Sequence, residues 1–189
     1  MQLRNSDKTY GLVAICLHWL MAVLLIILFS LGEYMEGLDY YDSWYHTAPW
    51  IHKSIGIIVF ALLISRTFWR FITLTPAPIP EHKNWEVVLA KSTHWMLYLI
   101  MFVVCTSGYL ISTAEGAGVE VFGWFSVADI ISYGEMQAET AGIVHGISTK
   151  LLLLLFVIHL LGVMKHRMID KDKTLTRIIR TPSNKEHPQ

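Results

Sequence analysis

Four apolar runs, at about residues 11–31, 51–71, 93–112 and 142–164, divide this chain of 189 residues. A hydrocarbon layer about 30 Å thick takes roughly 20 apolar residues when crossed as a helix. Each run has that length, none is interrupted by proline, and none alternates as a barrel strand would. A helix also satisfies its own backbone hydrogen bonds where no water is available. The first run is too long for the apolar region of a secretion signal and no small-residue cleavage site follows it, so it is expected to be retained. Only 16% of the residues are charged and 53% are hydrophobic, whereas soluble domains are about 25% charged. The expected fold is therefore all-α and integral to the membrane, a four-transmembrane-helix bundle in one compact domain. An ordinary soluble domain and a large transporter are both excluded.

The formal net charge is zero, but the signs are segregated. The N-terminal arm carries Arg4 and Lys8, and the second connection carries Arg70, Lys83 and Lys91. The tail carries Lys165, Arg167, Lys171, Lys173, Arg177, Arg180 and Lys185. The first connection holds Glu33, Glu36, Asp39 and Asp42, and the third holds Glu115, Glu120, Asp129, Glu135 and Glu139, neither with any Lys or Arg. Positive charge is retained on the cytoplasmic side, so both termini and the middle connection are expected there. No nucleic-acid partner is expected. The two acidic connections are also aromatic, with Tyr40, Tyr41, Trp44, Tyr45, Trp50, Phe122, Trp124 and Phe125. They read first as an interfacial belt, and in a sharper reading as a docking surface for a periplasmic protein. Thr73–Pro80 is a proline-rich linker. Cys16 and Cys105 lie at different depths, in the first and third runs, and read as packing residues, not a disulfide.

The chain has nine histidines, and their placement matters more than their number. His46, His82 and His187 fall in connections or the tail. His18, His52, His145 and His159 fall inside apolar runs, where an ionisable side chain points to function. His145 and His159 are 14 residues apart, which on a helix is about 40° in azimuth and about 21 Å in height. One metal ion cannot use both, but two stacked haems can. His52 opens the second run at the depth of His145, and His18 lies in the first run at the depth of His159. The expected axial pairs are His52 with His145 for an outer haem and His18 with His159 for an inner one. Zinc and copper fit less well, because no cysteine or carboxylate accompanies these histidines at matching depth.

Other residues gather around these pairs. Gly56, Gly142, Gly146 and Gly162 lie within a turn or so of the histidines, and glycine lets a flat macrocycle approach the backbone. Arg66 follows His52 by 14 residues, which puts it at inner-haem depth. There it pairs with a haem propionate or, on the alternative reading, snorkels to the headgroups. His94 begins the third run beside Lys91 and is the main rival to His18. Its shallower position favours a quinone site or a propionate. His166, in the basic run Lys165-His166-Arg167, reads as interfacial.

Several segments carry a resemblance to a known family. They are Tyr10–Trp19 (YGLVAICLHW), His52–Gly56 (HKSIG), His94–Leu99 (HWMLYL), Ser107–Tyr109 (SGY), His145, and His159 through Leu175 (HLLGVMKHRMIDKDKTL). Together they make the chain similar to the bacterial cytochrome b561 family of dihaem membrane cytochromes. The resemblance implies one such domain over residues 1–180, with 181–189 a polar cytoplasmic tail, in the bacterial inner membrane. It implies two b haems ligated by His18/His159 and His52/His145. The outer segments Tyr40–Gly56 and Ser107–Phe125 look closest to a subgroup associated with a periplasmic lipocalin-like isoprenoid-binding protein. The best-understood relatives pass electrons between periplasmic superoxide and membrane quinone.

With both axial positions filled, electron transfer is favoured over oxygen binding. The expected function is transfer of electrons across the membrane between the quinone pool and a periplasmic donor or acceptor, with superoxide one candidate. Lys53 beside His52 would guide an anion, with Lys150 a poorer choice, although the acidic loops around them oppose such steering. The alternative is a haem-bearing anchor subunit serving a periplasmic redox or lipocalin-like partner. A non-redox scaffold is the third reading. The partners expected are membrane lipid and quinone, with a periplasmic protein and a homodimer both compatible with the sequence.

Overall fold

The computed structural model describes residues 2–131, 134 and 136–179. Among the described residues, four helices are long and apolar enough to cross a membrane. They are α1 (Leu12–Glu36), α2 (Thr47–Ile72), α3 (Asn84–Ser112) and α4 (Gln137–Lys165). Each extends past its apolar run, most of all α3, which begins about nine residues earlier. Hydropathy marks only the hydrocarbon layer, and a helix continues into polar surroundings wherever its end is capped. At α3 the cap is Glu86, whose Oε2 accepts from the backbone N–H of Lys83 at 2.9 Å. This is the reach-back half of a capping box. At α1 the N-terminal arm folds over the first turn. Leu12 N–H donates to the Gln2 carbonyl at 3.0 Å and Gly11 N–H donates to Asn5 Oδ1 at 2.9 Å. A Cβ on Gly11 would stand 2.4 Å from the Leu3 carbonyl oxygen, so the arm can lie there only over a glycine.

The helices are apolar around their whole circumference, with large side chains such as Leu161, Ile147 and Phe71 facing outward. In water that would be a liability, but in lipid it is the ordinary condition of a spanning helix.

The third connection contains an antiparallel hairpin, β1 (Val119–Val121) and β2 (Phe125–Val127), with Val119 opposite Val127 and Val121 opposite Phe125. Its turn holds Phe122 and Gly123 at φ of 50° and 72°. The hairpin is tied to α2 through the buried Ser54. The Ser54 hydroxyl accepts from Phe122 N–H at 3.1 Å and lies 3.4 Å from the Glu120 carbonyl. After α4 comes a single π-helical turn, His166–Asp170, then a short α5 (Thr174–Ile179). Glu135, Arg180, Lys185, His187 and the tail at 181–189, which figure in the charge and histidine patterns, lie outside the described residues.

The chain gathers into two compact units. One takes the residues up to Leu20, Ile64–Tyr98 and those from Leu153 onward. The other takes Met21–Leu63 and Leu99–Leu152. All four long helices contribute a segment to each unit, and each unit contains a cluster of histidines drawn from the long helices.

Candidate functional site

In the second unit His52, from α2, faces His145, from α4, with ring centroids 6.4 Å apart and planes at 74°. His145 Nδ1 lies 3.0 Å from the Val104 carbonyl oxygen and 3.2 Å from Ser107 Oγ, both on α3. A carbonyl only accepts, so Nδ1 carries the proton and Nε2 keeps its lone pair. That is the tautomer a metal-binding histidine needs. His52 Nδ1 is buried with no hydrogen-bond partner among the described residues. Gly108 makes room for His145, since a Cβ there would sit 3.1 Å from its Cε1, whereas one at Gly32 would make an ordinary contact with His52 Cε1 at 3.5 Å.

In the first unit His18, from α1, faces His159, from α4, again with centroids 6.4 Å apart and planes at 70°. His94, from α3, approaches the same His159 ring more closely, at 5.1 Å. Its Nδ1 is 2.6 Å from the carbonyl of Ala90 one turn back, so it donates there. Arg66, from α2, joins the cluster and does not snorkel away from it. Its Nε–H donates to Tyr98 Oη at 2.9 Å, and its terminal nitrogen lies 3.0 Å from His18 Nδ1. The guanidinium groups of Arg66 and Arg70 each stand 5.7 Å from the Tyr98 ring centre. Arginine can only donate, so the contact to His18 requires the tautomer with its proton on Nε2. Ligation through Nε2 needs the opposite tautomer, in which Arg66 must release His18.

A metal–imidazole bond is about 2 Å and the ring nitrogen lies about 1 Å from the ring centre, so rings on opposite sides of one metal have centres roughly 6 Å apart. The two 6.4 Å separations fit that spacing. The 5.1 Å separation of His94 from His159 does not. The donor sets, the orphaned His52 nitrogen and the absence of a Cβ at Gly108 all fit a large planar iron cofactor held between imidazoles.

All six site residues expected from the sequence fall into these clusters. Spacing missed Tyr98, Gly32, Gly108, Ser107 and the Val104 carbonyl, although Ser107 and Gly108 lie in the SGY segment. The glycines that spacing favoured behave differently. A Cβ on Gly56, Gly142, Gly146 or Gly162 would meet nothing within 4 Å, so the described residues do not require glycine at these positions.

Two further features emerge from the fold. Beside the His52 helix a cavity of about 480 Å³ is lined by Trp50, Lys53, Tyr45, His46 and Glu120 among others. Lys150 is not among its lining residues. In the first unit His82 and His166 stack with centroids 4.2 Å apart and planes at 25°. Asp172 lies between their nitrogens, 2.7 Å from His82 Nε2 and 3.1 Å from His166 Nδ1. Burial would raise the Asp172 carboxyl, but hydrogen bonds from Thr174 and His82 and the charge at His166 outweigh it and hold the group down at about 2.

A family model described as prokaryotic cytochrome b561 matches residues 9–181. The chain is 41% identical over 179 residues to cytochrome b561 homolog 2 of Escherichia coli (strain K12), covering 95% of each. It is 27% identical over 178 residues to the probable superoxide oxidase CybB of Yersinia pestis, covering 91% of this chain and 96% of the relative. A third relative, cytochrome b562 of Cereibacter sphaeroides (strain ATCC 17023), is 26% identical over 184 residues, covering 93% of this chain and 98% of the relative.

Proposed function

The chain belongs to the prokaryotic cytochrome b561 family, and on that premise we propose that it carries two b haems and moves electrons across the inner membrane between the quinone pool and a periplasmic donor or acceptor. Membership itself makes it a multi-pass protein of the bacterial inner membrane that binds b-type haem and takes part in electron transfer. When bound, the haem supplies one-electron chemistry, and the protein supplies position and potential.

One observation carries the two-haem reading: two imidazole pairs, drawn from different helices, share the same 6.4 Å separation. On this reading His52 and His145 hold one haem, and His18 and His159 the other. Val104 and Ser107 orient His145. Arg66, held by Tyr98, would pair with a propionate once it releases His18, since a guanidinium is a bidentate partner for a carboxylate. His94, whose ring centre is only 5.1 Å from that of His159, would serve the quinone headgroup or a propionate. Both termini lie in the cytoplasm by the distribution of Lys and Arg.

The periplasmic substrate is proposed to meet the chain at the cavity beside His52, where Lys53 supplies the positive charge and Trp50 an aromatic wall. One relative bears the name probable superoxide oxidase, which makes superoxide the anion to try first. Stopped-flow mixing of the purified protein with superoxide tests this directly. Reduction of the haem that is reoxidised by added quinone supports it, and no reduction on any timescale up to seconds counts against it.

A second reading has a specific observation behind it. Tyr41 is 92% exposed and Trp124 75% exposed, both in the acidic connections. Such side chains suit a docking face for a periplasmic protein, with the chain serving as that protein's haem-bearing anchor. Co-purification of a stoichiometric periplasmic protein, lost in Trp124→Ala with Tyr41→Ala, would favour this reading, whereas quinone-linked turnover by the isolated chain favours the first.

A further inference from the structure

Away from the haem histidines, three side chains from separate parts of the chain bring potential metal ligands together. His82 comes from the connection between α2 and α3, His166 from the π-helical turn after α4, and Asp172 from the segment before α5. One ligand atom from each falls in a group spanning less than 4.8 Å. Their side chains are only 10–13% exposed, unlike the loosely held acidic groups common on surfaces. The backbone is shaped to make this approach. Lys171 takes a left-handed conformation, φ 53° and ψ 36°, which is costly for a residue other than glycine. The N–H of Asp172 returns to the His166 carbonyl at 3.1 Å, folding the carboxylate back over the imidazole. Thr174 N–H fixes Asp172 Oδ1 at 2.7 Å, and Oδ2 is the oxygen turned towards the rings.

The local charge also suits a cation. Asp170 is 2.8 Å from His166 Nδ1 and 2.7 Å from Lys165 Nζ, which also pairs with Glu86. Three carboxylates against one ammonium leave two negative charges around two imidazoles. Arg167, Lys171 and Lys173 make no ion pair with these carboxylates among the described residues.

We propose that His82 Nε2, His166 Nδ1 and Asp172 Oδ2 bind a divalent ion of the zinc class, which clasps the connection between α2 and α3 to the chain that follows α4. Two imidazoles with one carboxylate form a donor set suited to that ion, and a water completes four-coordination. In coordinating it the two nitrogens give up any proton they hold, so binding releases protons and weakens as pH falls.

The test uses the purified, haem-loaded full chain with zinc alone as the probe. Calorimetry and elemental analysis should find one zinc per chain beyond the iron. His82→Gln and Asp172→Asn should each weaken that binding at least about tenfold while leaving the haem spectrum unchanged. Equal zinc binding by the wild type and both variants overturns the proposal, as does no binding by the wild type. If a variant fails to fold, the zinc-edge X-ray absorption of the wild type decides instead. Scattering from two imidazoles upholds the site, and scattering from one or none overturns it.

Discussion

His145 shows how a neighbour selects the chemistry of a side chain. The Val104 carbonyl at 3.0 Å holds the proton on Nδ1 and so leaves Nε2 to donate. Gly108 is small because a Cβ there would stand 3.1 Å from the ring. Gly108→Val adds branched bulk at that point and is expected to displace the imidazole and, on the proposed ligation, release one haem, read as a fall from two haems to one per chain by pyridine haemochrome assay. Arg66 makes a different prediction. Removing a positive charge beside a haem favours the oxidised state, which carries the extra positive charge, over the reduced one, so Arg66→Gln should lower one haem potential. A change of about 60 mV corresponds to about 1.4 kcal/mol for one electron, and redox titration should show a shift of that order in one haem only. His94→Ala should keep both haems yet slow the reaction with quinone. Loss of a haem in that variant would make His94 a ligand. That His18, His94, His159 and Arg66 gather on one side and His52 with His145 on another was legible because helical periodicity projects depth and azimuth from position alone. Tyr98 and Gly32 were not, since periodicity on one helix does not reveal which residue of another helix it meets.

The four long helices were legible from the same pattern, but their ends were not. Glu86 extends α3 by capping it at Lys83, and a cap lies outside any measure of apolar length. The β1–β2 hairpin was read as an acidic aromatic loop, because strands of three residues are too short for alternation to stand out. Its attachment to Ser54 gives a test. Ser54→Ala leaves Phe122 N–H without its partner, and a lost hydrogen bond of this kind costs about 1 kcal/mol. A lower midpoint of thermal unfolding with an unchanged haem spectrum is the expected result. The His82–His166–Asp172 cluster was hidden for another reason: His166 lies 84 positions after His82, and only the fold unites them.

The account as a whole requires a sided molecule with a redox group on each side. With Cys16 and Cys105 changed to serine, Tyr41→Cys should react with a membrane-impermeant thiol reagent in intact spheroplasts and Lys173→Cys should not. The reverse pattern would invert the orientation inferred from the Lys and Arg distribution. The decisive measurement is the haem content of the purified wild type beside His145→Ala and His159→Ala. The account predicts two b haems per chain in the wild type and one in each variant, with the two variants keeping haems of different potential. A wild type holding a single haem, or variants that both retain two, would contradict it.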